Sequence, residues 1–167
     1  TAYKELGDIK KSINFYEEVI KTDTNHTNAN YNLGVAYHNL RDLKKAKFFF
    51  KKTIEVQPNY ARAFVNLANI HAEQKEYENA LSNFQKAITI NPKLFGAHNN
   101  LGLVFRALND YKNAINCYEK AIELKPNHGG AHHNLALALK ELGNFEKAIK
   151  SHEMAIKHEP ENLINYF

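Results

Sequence analysis

Four prolines, Pro58, Pro92, Pro126 and Pro160, stand 34 residues apart, and the chain contains no others. A fixed period of this length constrains the fold more than any other feature, because each unit must repeat one supersecondary motif. Other columns keep the same register: Ala46, Ala80, Ala114 and Ala148, and Leu33, Leu67, Leu101 and Leu135. So does the aromatic series Phe50, Phe84 and Tyr118, with His152 in the fourth place. Between prolines, two stretches carry apolar residues at three- and four-residue spacing, the mark of two amphipathic helices. The spacing predicts first (A) helices near 28–40, 62–74, 96–108 and 130–142, and second (B) helices near 43–56, 77–90, 111–124 and 145–158. Each Pro follows a B helix and prevents its continuation. Gly143 and Asn109 suit a left-handed turn between the helices, whereas Arg41 and Lys75 suit it less. No strand pattern is present, so the expected class is all-α.

Small residues complete the pattern: Gly34, Ala68, Gly102 and Ala136 on the A helices, expected to face the Ala46 to Ala148 column on the B helices. Side chains this small let two helix axes approach closely. Period, small columns and prolines together resemble the tetratricopeptide repeat (TPR) family over essentially the whole chain. The complete repeats would be 27–60, 61–94, 95–128 and 129–162 of a single array, with partial repeats at 1–26 and 163–167, an excerpt of a longer protein. The resemblance implies a right-handed superhelical solenoid whose concave groove is lined by A helices. Stacking is required in any case, since one helical pair cannot bury its own apolar stripe. The family's usual Trp early in helix A is replaced by Asn30, Phe64, His98 and His132. Ser12, Val19 and Thr53 replace expected alanines, which predicts looser packing in the N-terminal half.

Asn32, Asn66, Asn100 and Asn134 also keep the period, although Asn costs roughly half a kcal/mol relative to Ala inside a helix. Residues 28, 31, 32, 35, 38 and 39 share one helix face, and their equivalents form six columns along the groove, of which only the Asn column is invariant. A carboxamide is complementary to the N–H and C=O of a peptide backbone. Neighbouring helices roughly 9–10 Å apart meet an extended chain about every third residue. The candidate peptide-binding residues are therefore Asn32, Asn66, Asn100 and Asn134 with Tyr31, Asn69, Asn99, Arg62, Arg106, His133 and Lys140. The groove is similar to that of superhelical arrays of the O-linked N-acetylglucosamine transferase type, which carry an Asn ladder. The opposing reading is that the amides satisfy backbone groups between adjacent helices. The family's two-carboxylate clamp is absent, because Tyr31, Val65, Asn99 and His133 replace its first Lys and the ladder column holds no Arg.

Other constellations carry little chemistry. His128, His132 and His133 invite a metal reading, but no carboxylate or Cys column converges on them, so neither metal nor cofactor is expected. Cys117 has no activating base and reads as a structural thiol. Being the only cysteine, it can form no internal disulfide, which suits a reducing, cytoplasmic setting. Lys44, Lys45, Lys47, Lys51 and Lys52 wind around one B helix and read as a solvated convex face, with membrane or nucleic-acid contact the lesser alternative. The net charge of +4 comes mostly from dispersed lysines, so nucleic acid is not the expected partner. With no phosphate loop, catalytic triad order or paired carboxylates, an enzyme is not expected. The leading expectation is a protein-interaction scaffold holding an extended peptide. The alternatives are a recognition arm for a catalytic domain outside the chain, and self-assembly through solenoid ends. Leu163, Ile164, Tyr166 and Phe167 would open a further A helix and expose apolar surface for that contact.

Overall fold

The structure, a computed structural model, describes residues 2–160, with side chains from Gly7 onward. Among these residues it contains nine helices and no strand: α1 (Ala2–Thr22), α2 (Thr27–Asn39), α3 (Leu43–Val56), α4 (Ala61–Glu73), α5 (Tyr77–Ile90), α6 (Phe95–Ala107), α7 (Tyr111–Leu124), α8 (Gly129–Glu141) and α9 (Phe145–His158). The B helices α3, α5, α7 and α9 have the expected bounds, whereas each A helix runs one residue earlier than expected. The difference lies in the caps. His26 and His128 close the N-termini of α2 and α8 by accepting Ala29 and Ala131 N–H at Nδ1 (3.2 and 3.0 Å). Leu40, Gln74, Leu108 and Leu142 serve as C-caps rather than last helical residues.

The same turn closes all four pairs. Arg41, Lys75, Asn109 and Gly143 have φ of 61°, 60°, 60° and 75°. The next N–H in each case returns to the carbonyl five residues back, from Asp42, Glu76, Asp110 and Asn144 to Tyr37, His71, Phe105 and Leu139 (2.8–2.9 Å). This double closure satisfies the last helical carbonyls only when the intervening residue is left-handed. Arg41 and Lys75 therefore adopt the conformation despite their Cβ, because the hydrogen bonds demand it.

The first helix departs from expectation. Gly7 corresponds to Arg41, which predicts a turn there after an A-helix stub, yet α1 runs unbroken from Ala2 to Thr22. The backbone groups around Gly7 are satisfied within the continuing helix instead.

Consecutive helices pack against one another, and α4, α6 and α8 also touch, which lines up the A helices along one wall. The core is a row of clusters beneath that wall, each centred on the aromatic column: Phe50, Phe84 and Tyr118 are fully buried. The small A-helix column meets these rings as well as the alanines. A Cβ on Gly34 would lie 2.6 Å from the Phe50 ring, and one on Gly102 would lie 2.5 Å from the Tyr118 ring. Thr53 is fully buried and donates its hydroxyl to Phe49 O (2.8 Å), so its extra atoms are accommodated rather than loosening the packing. In the column where the family has Trp, polar side chains latch the preceding loop. Asn30 Nδ2 donates to Thr24 O (3.0 Å), and His98 and His132 Nε2 bond Pro92 O and Pro126 O (3.0 and 2.8 Å), each six residues back.

No helix among the described residues is long and apolar enough to cross a membrane. Leu163, Ile164, Tyr166 and Phe167 lie outside the described residues.

Candidate functional site: the wall of A helices

Three hollows run in series along this wall. The first, about 270 Å³, lies between Tyr31 of α2, Arg62, Val65 and Asn66 of α4, and the start of α6 from Phe95 to Asn100, with Lys93 and Leu94 at its rim. The second, about 420 Å³, has an apolar floor of Ala72, Phe84, Leu103 and Val104, and polar sides made by His38, Asn69, Glu73 and Asn100. The third, about 430 Å³, is framed by Leu103, Arg106, Tyr111, Leu137 and Glu141. Asn100 borders the first and second, and Leu103 and Ala107 border the second and third, so the hollows are contiguous.

The ladder amides reach across this wall. Asn66 Nδ2 donates to the Tyr31 hydroxyl (3.1 Å), Asn100 Nδ2 to Asn69 Oδ1 (2.9 Å) and Asn134 Nδ2 to Asn99 Oδ1 (3.1 Å). Asn99 Nδ2 in turn donates to Asn100 Oδ1 (3.1 Å). A directional chain of carboxamides thus runs Asn134, Asn99, Asn100, Asn69 over three A helices. Each ladder donor reaches a side chain of the preceding A helix, not a backbone group. Both readings of the column anticipated backbone partners, one in a ligand and one in the solenoid. The oxygens of Asn66 and Asn134 accept from no described residue, and Asn32 forms no hydrogen bond to one.

The remaining candidates are spread unevenly. Tyr31 is fixed between the Phe50 and Tyr60 rings (centroids 5.8 and 5.0 Å). His133 is half-buried with its ring 5.2 Å from that of His152; burial lowers the pKa of both imidazoles, as do Arg106 for His133 and Lys140 for His152. Both are therefore held neutral at neutral pH. Lys140 is exposed near the end of α8 and lines none of the three hollows.

Charge on the wall is less mixed than the residue types suggest. Glu73 is taken up by His38 Nε2 and Arg41 Nη1, both at 3.1 Å. No described carboxylate pairs with Arg62, Lys93 or Arg106. The first hollow is accordingly cationic at its rim, whereas the third sets Arg106 beside Glu141. Burial raises the Cys117 thiol to about 11, well away from a reactive thiolate. No group of three or more His, Cys, Asp or Glu among the described residues could hold a metal ion.

Tyr77, Leu94 and Phe95 line hollows without having been singled out from sequence, whereas His38 lies on the groove face read from it. For Tyr77 a signal existed: Leu43, Tyr77, Tyr111 and Phe145 form a large apolar column at the first position of each B helix.

The 34-residue pairs and their continuous wall agree with the sequence comparisons. A tetratricopeptide repeat profile matches residues 59–127 and 93–158, a second matches 27–60, and a TPR repeat profile matches 1–40. The chain belongs to the tetratricopeptide repeat family. Among solved TPR structures, that of MamA is 28% identical with a TM-score of 0.84, over 95% of this chain and 93% of that one. A MamA fragment from Desulfovibrio magneticus RS-1 gives 21% identity and a TM-score of 0.83, over 94% and 89%. YrrB, described as a TPR protein with an unusual peptide-binding site, gives 21% identity and a TM-score of 0.77, over 96% and 83%. The last two show likeness of fold alone. No curated protein matches the chain in sequence.

Proposed function

We propose that this TPR array is a protein-interaction scaffold that holds an extended, carboxylate-bearing peptide segment along the wall of A helices. The observation that carries the reading is the row of carboxamides set over contiguous hollows. Asn32, Asn66 and Asn134 offer oxygens to ligand N–H groups, and the apolar floor of the second hollow accepts a side chain. The unpaired Arg62, Lys93 and Arg106 favour carboxylates. The peptide-binding site ascribed to YrrB lends support at the level of the fold.

The test is the double substitution Asn66→Ala with Asn100→Ala, read against a peptide selected from a random library. Binding should weaken at least tenfold, about 1.4 kcal/mol. Stability should fall by about 0.5–3.5 kcal/mol, since three side-chain bonds worth about 0.5–1.5 kcal/mol each are lost while Ala regains about half a kcal/mol per site. Unchanged affinity with a loss of stability would assign the amides to holding the solenoid together.

A second reading is self-association through the face of α9 on which Phe145 and Ile149 are 62% and 59% exposed. Concentration-dependent sedimentation that weakens on deletion of 163–167 is expected; a monomer at all concentrations, with and without that segment, refutes it.

A further inference from the structure

The helix α3 is unlike the other B helices. It carries five lysines against one glutamate, so this single helix has a formal charge equal to the chain's whole net charge of +4. At its centre Phe48 is 61% exposed, although large apolar side chains are normally covered. At about 100° per residue, Lys44 and Lys51 fall roughly 40–60° to one side of Phe48, and Lys45 and Lys52 equally far to the other. The buried Ala46, Phe50 and Thr53 lie on the opposite face, so Phe48 points straight out of the molecule.

Three of the five lysines have a carboxylate within 4.0 Å and two do not. Lys47 is engaged with Gln74 and Glu76 (2.7 and 3.9 Å). Lys45 lies over the Tyr37 ring (4.6 Å) with Asp42 at 4.0 Å, and Lys52 reaches Glu55 (3.3 Å), which also faces outward. Lys44 and Lys51 have no ion-pair partner among the described residues. The pattern is not a property of the repeat. At the Phe48 position the later B helices have Ser82, Asn116 and Lys150, and each of them has an acid among the four flanking positions: Glu78, Glu119, and Glu146 with Glu153.

We propose that this face of α3 docks on an anionic lipid surface. A protruding aromatic, edge-on to the half-buried Phe49 (centroids 5.1 Å) and with none of the three hollows beside it, suits a partner that deforms around it. An interface of headgroups and acyl chains does so, taking the ring while the lysine stems lie alongside and their ammonium groups reach the headgroup charge. A purely acidic polypeptide or a base-paired nucleic acid would use the lysines but offer the Phe48 ring neither an apolar interior nor an open base face.

The experiment is flotation of the whole chain with phosphatidylcholine vesicles, with and without about one-third phosphatidylserine. Two variants take the residues that α5 carries at the same positions: Phe48→Ser, and Lys44→Glu with Lys51→Gln. Helicity and melting temperature confirm that both fold. Binding to the anionic vesicles alone is expected, weakening as salt rises. Phe48→Ser should reduce it about tenfold, and the charge variant by about fivefold for each lysine lost. Absence of binding to anionic vesicles, or a Phe48→Ser variant that binds as the parent does, overturns the proposal. So does tighter binding to polyglutamate or to duplex DNA than to the vesicles, which would name the partner as one of those instead.

Discussion

Tyr118 occupies the aromatic column where Phe50 and Phe84 stand in earlier repeats, and all three side chains are fully buried. Its hydroxyl is also buried and has no hydrogen-bond partner among the described residues, and burial pushes the phenol up to about 12. A buried donor left unmade costs about 1–3 kcal/mol. Tyr118→Phe removes that cost and forfeits only the packing of one oxygen, a few tenths of a kcal/mol. The ring itself need not move, since Phe50 shows that an unsubstituted ring fits under the same small column. The variant should therefore be more stable by about 1 kcal/mol, or about 2–4 °C in melting temperature. Urea unfolding followed by circular dichroism reads the total. Hydrogen exchange in α7 and α8 localises it, because a repeat array need not unfold in one step. The reciprocal change Phe84→Tyr should cost about 1–3 kcal/mol. A Tyr118→Phe variant less stable than the parent would refute the reasoning and mean that the hydroxyl is satisfied.

Two further outcomes are expected. Lys75→Gly should raise stability by about 0.5–1 kcal/mol in urea titration, because the left-handed φ of 60° strains a residue with a Cβ; a decrease would mean that the Gly entropy cost prevails. His133 and His152 have lowered pKa values in the fold, so the unfolded chain binds more protons. Their contribution is complete above the ordinary value near 6.5 and is lost as pH falls through the lower folded values. Urea midpoints from pH 7.5 to 5 should decline, and His152→Phe should flatten the decline; an unchanged slope would assign it to other groups.

The period, the helix pairs and the B-helix bounds were legible because each is written locally, in apolar spacing and a following Pro. The one-residue shift of the A helices was not, since it depends on whether Leu40 and Gln74 act as caps. Nor were the left-handed Arg41 and Lys75, whose side chains argue against a conformation that the closing hydrogen bonds impose. The continuous α1 shows the limit of the period itself: a column is informative only where the neighbours that give it meaning are present. For the site, the Asn column could be seen in sequence but its bonds could not. Whether Asn100 meets Asn69 or a backbone group depends on the rise and rotation between repeats, which no single repeat encodes.

The carboxamide chain from Asn134 to Asn69 gives the wall a mechanical property. Two of its bonds, Asn134 to Asn99 and Asn100 to Asn69, cross between neighbouring A helices, so drawing those helices apart lengthens them directly. They act as short springs in parallel with the softer apolar contacts beneath. On the proposed function, an amide that turns toward a bound peptide must release the neighbour it now holds. On that reading, binding at one A helix loosens its tie to the next, so that neighbouring repeats are coupled through the same amides that hold the guest.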